Sequence, residues 1–256
     1  MSFSSKYSEI YDSMGEMPQQ SDPAKVRFYA DLVPVKPTAR ILDVGCAEGR
    51  LAVELARRGH KVTGIDISSA YVQQAKDYAT SNKAPVDIFR CDLESPDFAR
   101  QFEGYAKFDY IYFLDVVEHL RSPVRGLENV SSLLADSGTM FLRTPNALSL
   151  GRSVFNLLSW RRRMNYNVNR EDFAALHLQL YDYKQLELLL AFVGLRIQGH
   201  IPTELTVPFV ISHSKLLARV FPTLADSLIV ECAKTEPIDV RKQIEFWVEN
   251  KEGTSE

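Results

Sequence analysis

An α/β domain built on a doubly wound, mostly parallel sheet is the fold class this sequence predicts, on three observations. Short apolar runs alternate with helical stretches from Arg40 to Arg143, the rhythm of parallel strands joined by helices that cover both faces of a sheet. The first run ends in an acid and a glycine-bearing turn, Asp43-Val44-Gly45-Cys46-Ala47-Glu48-Gly49, that leads into a helix. The length, 256 residues with 45% hydrophobic and 25% charged side chains, suits one large domain. A domain of that size buries about 70% of the surface its unfolded chain exposes and needs no staples.

Each element follows from local chemistry. Pro23 opens a helix that runs to about Val33, since proline fits a first helical turn. Pro34 and Pro37 stop it. Arg40–Val44 reads as a buried strand, Arg50–Arg58 as a helix closed by Gly59, and Lys61–Asp66 as a second strand. Ser68–Ser81 is helical, Val86–Cys91 a third strand and Phe108–Leu114 a fourth. Pro123–Leu134 is helical, Asp136-Ser137-Gly138 a turn, and Thr139–Arg143 a fifth strand. After Pro145 the rhythm stops. It resumes with a helix at Tyr183–Phe192, where Leu186, Leu189, Leu190 and Val193 recur at helical spacing, ended by Gly194. Leu195–Ile201 and Ser227–Lys234 are late strands.

Composition narrows the function classes. A net charge of -3 argues against wholesale nucleic-acid binding. The three cysteines, Cys46, Cys91 and Cys232, are odd in number and far apart, so a disulfide framework and a zinc cluster are both disfavoured. They read as small buried packing residues in a reducing, cytoplasmic setting. Met1–Gln20 lacks the apolar core of a signal peptide, and no run of about 18 apolar residues predicts a membrane span.

The chemistry gathers at strand ends. The turn after Val44 uses glycine, which admits positive φ and close approach of a ligand to backbone, and it feeds a helix N-terminus suited to polar ligand groups. In open parallel sheets ligands sit beyond the carboxyl ends of the strands. Asp66 closes the second strand about 20 residues after the turn, a place from which an acid grips ribose hydroxyls. Asp92 follows the third strand, where a carboxylate accepts from an adenine amino group. Three acids at three successive strand ends suit a nucleoside with a free ribose. A dinucleotide site wants G-x-G-x-x-G, and Gly45–Gly49 offers G-x-A-x-G.

Together, Asp43–Gly49, Asp66, Asp92 and Phe108–His119 resemble the class I S-adenosylmethionine (SAM)-dependent methyltransferases. The nearest likeness is to small-molecule O-methyltransferases of the ubiquinone-biosynthesis type. Their acid, two apolar residues and Glu-His after strand four read here as Asp115-Val116-Val117-Glu118-His119. The resemblance covers about residues 24–145. It implies a seven-stranded, Rossmann-like sheet with a reversed last strand and a helical cap. It also implies roles: Asp43, Gly45 and Gly49 shape the methionine pocket, Asp66 binds ribose with Ile67 against adenine, Asp92 and Leu93 hold the adenine rim, and Leu114 lines the methionine end; Cys46, by its place in the turn, is expected to touch the cofactor. Arg27 matches an arginine that reaches the cofactor carboxylate. The family's middle glycine of the turn is Ala47 here.

Three readings of Glu118 and His119 stay open: a helix-start pair, an acceptor-pocket pair with His119 as general base, or, as the resemblance to the quinone enzymes implies, Mg²⁺ ligands together with Asp115. His177, among leucines before the late helix, faces the active site in the resembling enzymes, yet a core position fits it equally. Trp160 and Arg161–Arg163 read as a solvated loop, with a peripheral membrane contact as the rival.

The chain divides into an N-terminal lid (1–23), the cofactor core (24–145), a cap (146–180), the rest of the same domain (181–236) and a charged tail (237–256). The lid, with Tyr7 and Tyr11, and the cap are expected to close over the acceptor. The expected function is SAM-dependent methylation of a small molecule, on a sugar, glycan, lipid-linked or phenolic hydroxyl. A protein or RNA acceptor and a non-catalytic SAM-binding module are the rivals. No nucleic-acid partner is expected, and a homodimer stays open.

Overall fold

A computed structural model describes residues 22–34, 38–150, 153, 178–203, 206–207, 212–213 and 220–238. The elements are α1 (Pro23–Ala30), β1 (Arg40–Val44), α2 (Arg50–Arg57), β2 (Lys61–Asp66), α3 (Ser69–Ser81), β3 (Val86–Arg90), α4 (Phe98–Gln101) and β4 (Phe108–Leu114). There follow a 3-10 turn at Val117–His119, α5 (Pro123–Ser132), β5 (Leu134–Pro145), α6 (Tyr183–Phe192), β6 (Leu195–His200) and β7 (Ser227–Lys234). A two-residue ladder joins Thr206–Val207 to Ser212–His213.

The sheet has seven strands in the order β3-β2-β1-β4-β5-β7-β6. Pairings from β3 through β5 are parallel. β7 runs antiparallel to both β5 and β6, so it is the reversed strand. This is the expected doubly wound sheet, and its topological switch lies between β1 and β4, where ligands bind in such folds.

Side-chain alternation builds a core on each face. Leu42, Val44, Ile111 and Phe113 point into one cluster with Leu127, Leu190 and Val230. Ile41 and Tyr112 point into the other, against Ala52 and Leu55 of α2 and Ala30 of α1. Buried residues at Val72, Ala75 and Ala79 form a small-residue stripe on α3. That stripe lets α2 start close by: a Cβ on Gly49 would stand 2.9 Å from the Ala75 Cβ. The Tyr112 hydroxyl donates to the Tyr29 carbonyl at 2.7 Å and ties α1 to the sheet. All three cysteines are buried and free.

Besides shifts of one or two residues at several element ends, three features differ from the sequence reading. α1 stops at Ala30, about one turn before the prolines would force it, with Asp31 as its C-cap. β5 begins at Leu134 and absorbs the expected turn at 136–138: the step from Phe108 to Tyr110 on β4 is matched by Leu134 to Thr139 on β5. Residues 135–138 have no register partner on β4, so the Asp-Ser-Gly segment sits in a bulge of the strand. The short helix at Phe98–Gln101 has too few residues for a periodic signal. Asp182 and Gln185 cap α6 reciprocally, a signature visible in the sequence.

Candidate active site

The parallel register brings the carboxyl ends of β1 to β4 side by side. Gly45 and Cys46 donate their amides to the Ile65 carbonyl at 2.8 and 3.0 Å, and Cys91 donates to the Asp66 carbonyl at 2.9 Å. The turn after β1 holds three left-handed residues, Gly45 (φ 68°), Ala47 (φ 44°) and Gly49 (φ 76°). A Cβ on Gly45 would lie 2.7 Å from Val116 Cγ2, so glycine is required for close packing against the β4 loop. Ala47 accepts a strained conformation that costs an L-residue about 1–2 kcal/mol.

Asp66 explains why the turn holds. Its Oδ2 accepts the Ala47 amide at 3.0 Å and its Oδ1 accepts the Ser68 amide at 2.9 Å. Asp92 Oδ1 accepts the Glu94 amide at 2.9 Å. Glu94 in turn accepts the Ser122 amide at 2.5 Å, which draws the start of α5 toward the β3 loop.

These ends enclose a cleft of about 170 Å³. Gly45, Ala47, Ile65, Asp66 and Ile67 line it from the ends of β1 and β2, Cys91, Asp92, Leu93 and Glu94 from the end of β3, and Leu114, Asp115, Val116 and His119 from the end of β4. Tyr71 and Leu120 complete the apolar wall. Eight residues singled out from the sequence therefore meet in one cleft: Gly45, Asp66, Ile67, Asp92, Leu93, Leu114, Asp115 and His119.

Others lie elsewhere. Asp43, Cys46, Gly49 and Glu118 are not in the cleft wall. Asp43 is buried beneath the turn, and its carboxyl is pushed up to about 7 by burial first and then by the Asp66 charge, while the Ala52 amide pulls it down. Its Oδ2 has no hydrogen-bond partner. Gly49 serves helix packing against Ala75. Arg27 lies in a separate groove between α1 and α2, with its Nε donating to the Pro23 carbonyl at 3.3 Å. His177, Tyr7, Tyr11 and Arg161–Arg163 lie outside the described residues.

Sequence reasoning missed Arg143. It pairs with Asp115 and donates to Ser227 Oγ at 2.9 Å. Asp115 carries a positive φ of 55°, a conformation disfavoured for a side chain with a Cβ, and its amide donates to the Arg143 carbonyl at 2.9 Å. Tyr29 stands close enough to feel both charges: burial pushes its hydroxyl up to about 12, Arg143 lowers it and Asp115 raises it. A lone arginine inside Phe141-Leu142-Arg143-Thr144 was the available signal.

Glu118 is fully buried, with Oε2 accepting from Thr144 Oγ1 at 3.0 Å and Oε1 unpartnered. Burial and then the Asp115 charge push it up to about 8. Its carbonyl accepts the amides of Leu178 and Gln179 at 2.8 and 3.2 Å, anchoring that segment. The Mg²⁺ reading finds no support in this geometry. Asp115 is paired with a guanidinium, Glu118 is largely protonated at neutral pH, and no group of three or more His, Cys, Asp or Glu among the described residues converges on a metal position.

Residues 19–199, more than half of the chain, match the profile of a family described as a methyltransferase domain. The chain belongs to that methyltransferase family. Its fold is that of the class I SAM-dependent methyltransferases. Among curated proteins, the domain is 34% identical over 133 residues to the ubiquinone biosynthesis O-methyltransferase of Xanthomonas campestris pv. campestris, covering 50% of this chain and 54% of that one. The Coxiella burnetii protein of the same name is 29% identical over 125 residues, covering 49% and 51%. The chain thus spans about half the length of the curated relatives it matches. Among solved structures, magnesium protoporphyrin IX methyltransferase from Synechocystis with bound SAH aligns at a TM-score of 0.57 and 19% identity, covering 92% of this chain and 89% of that one. The complex of the Haloferax volcanii Trm112 activator with a methyltransferase aligns at 0.60 and 13%, covering 90% and 98%. At such identities these two establish the fold of the methyltransferase domain. No helix among the described residues is long and apolar enough to cross a membrane.

Proposed function

We propose that this protein transfers the methyl group of SAM to a hydroxyl of a small molecule. The observation that carries the reading is the cleft at the ends of β1 to β4, lined by Asp66, Asp92 and His119. Its residues fit an adenosyl cofactor. Ile67 and Leu93 offer apolar faces to a base, Asp92 offers an acceptor to its amino group, and Asp66 offers one to ribose. An ionised carboxylate accepts about four hydrogen bonds, so Asp66 can hold both the turn and a ribose. Asp43, buried below the turn, favours a cationic ligand above it, since a nearby positive charge lowers the carboxylate pKa.

Bound SAM supplies an electrophilic methyl carbon. The chain's task is then alignment and one proton. Val116 against Gly45 fixes the far wall, and alignment of this kind supplies about 7–11 kcal/mol of a barrier. His119, in that wall, is placed to take the acceptor proton, a contribution of about 10²–10⁴-fold. His177 is the second candidate for that role. Glu118 acts indirectly, by holding the 178–179 segment beside the wall. A small-molecule, oxygen-directed acceptor is supported by the curated relatives, which are named as ubiquinone biosynthesis O-methyltransferases. Sugar, lipid-linked and phenolic hydroxyls are the acceptor classes to screen.

Calorimetric titration with SAM and SAH tests the reading. Wild type should bind both at one site, and Asp66→Ala and Asp92→Ala should each weaken binding about tenfold or more, as expected for lost hydrogen bonds to a polar ligand. A correctly folded wild type that binds neither compound would reject it. With an acceptor in hand, His119→Ala should lower kcat far more than it raises KM.

A further inference from the structure

Arg27 was singled out in the sequence, and the cofactor cleft does not use it. It lies instead in a second groove, of about 210 Å³, between α1, α2 and Tyr78 of α3. Three guanidinium groups line that groove: Arg27, Arg50 and Arg57. Arg50 is held in place, with its Nε on Glu48 Oε2 at 2.8 Å and its guanidinium 5.1 Å over the Tyr78 ring. The one carboxylate in the lining, Glu54, is taken by Arg58 at 2.9 Å. Arg58 also reaches Asp31 at 2.7 Å, so it stays outside the groove. Among the described residues, Arg27 and Arg57 have no carboxylate partner. A chain of net charge -3 therefore carries a local cationic groove with an apolar floor of Val26 and Val53.

We propose that this groove binds a phosphoryl group of a small ligand, with Arg27 and Arg57 as the principal contacts. Guanidinium forks match phosphate oxygens bidentately, and three of them facing one concavity favour a compact, multiply charged oxyanion over a single carboxylate. The groove lies on the helical layer and is distinct from the cleft, so the inference stands whether or not the methyltransferase reading does.

The test is calorimetric titration of the full chain with pyrophosphate at low ionic strength, where surface electrostatics are least screened. Saturable binding at one site is expected, weakened about tenfold by Arg27→Ala and by Arg57→Ala, the loss of one charge-assisted contact each. Lys25→Ala removes an equal charge from α1 outside the lining and should leave the affinity unchanged. Absence of saturable binding overturns the proposal. So does an equal loss in Lys25→Ala, which would mean general charge attraction, or displacement of pyrophosphate by SAH, which would place the anion in the cleft. Arg57 is exposed, so Arg57→Ala should keep the wild-type melting temperature and SAH affinity, which separates a lost site from a lost fold. Cosedimentation with phosphatidylglycerol vesicles, abolished in the arginine variants, would assign the phosphoryl group to a lipid headgroup. Pyrophosphate binding with no cosedimentation would assign it to a soluble ligand.

Discussion

Glu118 makes the fold sensitive to pH in an unusual direction. In the folded chain its carboxyl is raised from 4.5 to about 8 by burial and by Asp115. Raising an acid's pKa on folding means that the folded state binds the proton more tightly. The associated stability is therefore fully present below about pH 4.5 and is lost as pH rises toward 8. Linkage between those two values gives a loss of about 2 kcal/mol between pH 5 and pH 7 from this one group. Glu118→Gln keeps the shape and an oxygen for Thr144 but cannot ionise. The variant's stability relative to wild type should thus climb by about 2 kcal/mol from pH 5 to pH 7, with other titrations cancelling in the difference. For a domain of this size that corresponds to about 4–8 °C in melting temperature. Urea unfolding of both proteins at matched pH values measures it. A difference that does not change with pH would show that Glu118 is already ionised in the folded state, and the reasoning about its burial would be wrong.

Three further outcomes follow from the geometry. Arg143→Met leaves Asp115 unpaired in its left-handed conformation and should cost about 1–3 kcal/mol in urea unfolding, less than a fully buried pair would, because the Asp115 side chain is 37% exposed; Arg143→Lys should recover part of the loss, and a neutral effect of both would dismiss the pair. Gly45→Ala drives a Cβ to 2.7 Å from Val116 at a φ of 68° and should lower both stability and SAH affinity, with a loss in stability of about 1–3 kcal/mol. Ala47→Gly relieves a φ of 44° and should raise the melting temperature, by up to about 1 kcal/mol of stability, and a drop would mean that loop entropy outweighs the strain.

The sequence by itself determined the strand order's raw material and the cofactor side of the cleft. β1, β2, β4, α6 and β7 have the bounds read from apolar runs and turn residues, because these signals are local. Gly45, Asp66, Asp92 and Leu114 were legible for the same reason: in a parallel sheet every strand's carboxyl end faces one edge, so an acid closing a strand is placed by its position alone. What only the tertiary structure decided are the meetings of residues distant in the chain. Arg143 found Asp115 across 28 positions, and Gly49 found Ala75 across a helix–helix contact. Arg27 was read from the resemblance as a cofactor ligand, and only the packing of α1 on α2 shows that it shares a groove with Arg50 and Arg57. Glu118 was read as a helix-start, pocket-lining or metal-binding residue, and only the fold shows it fully buried with its carboxyl pushed up by burial and Asp115. Desolvation and side-chain pairing depend on what the rest of the fold brings within a few ångströms, and no run of neighbouring residues encodes that.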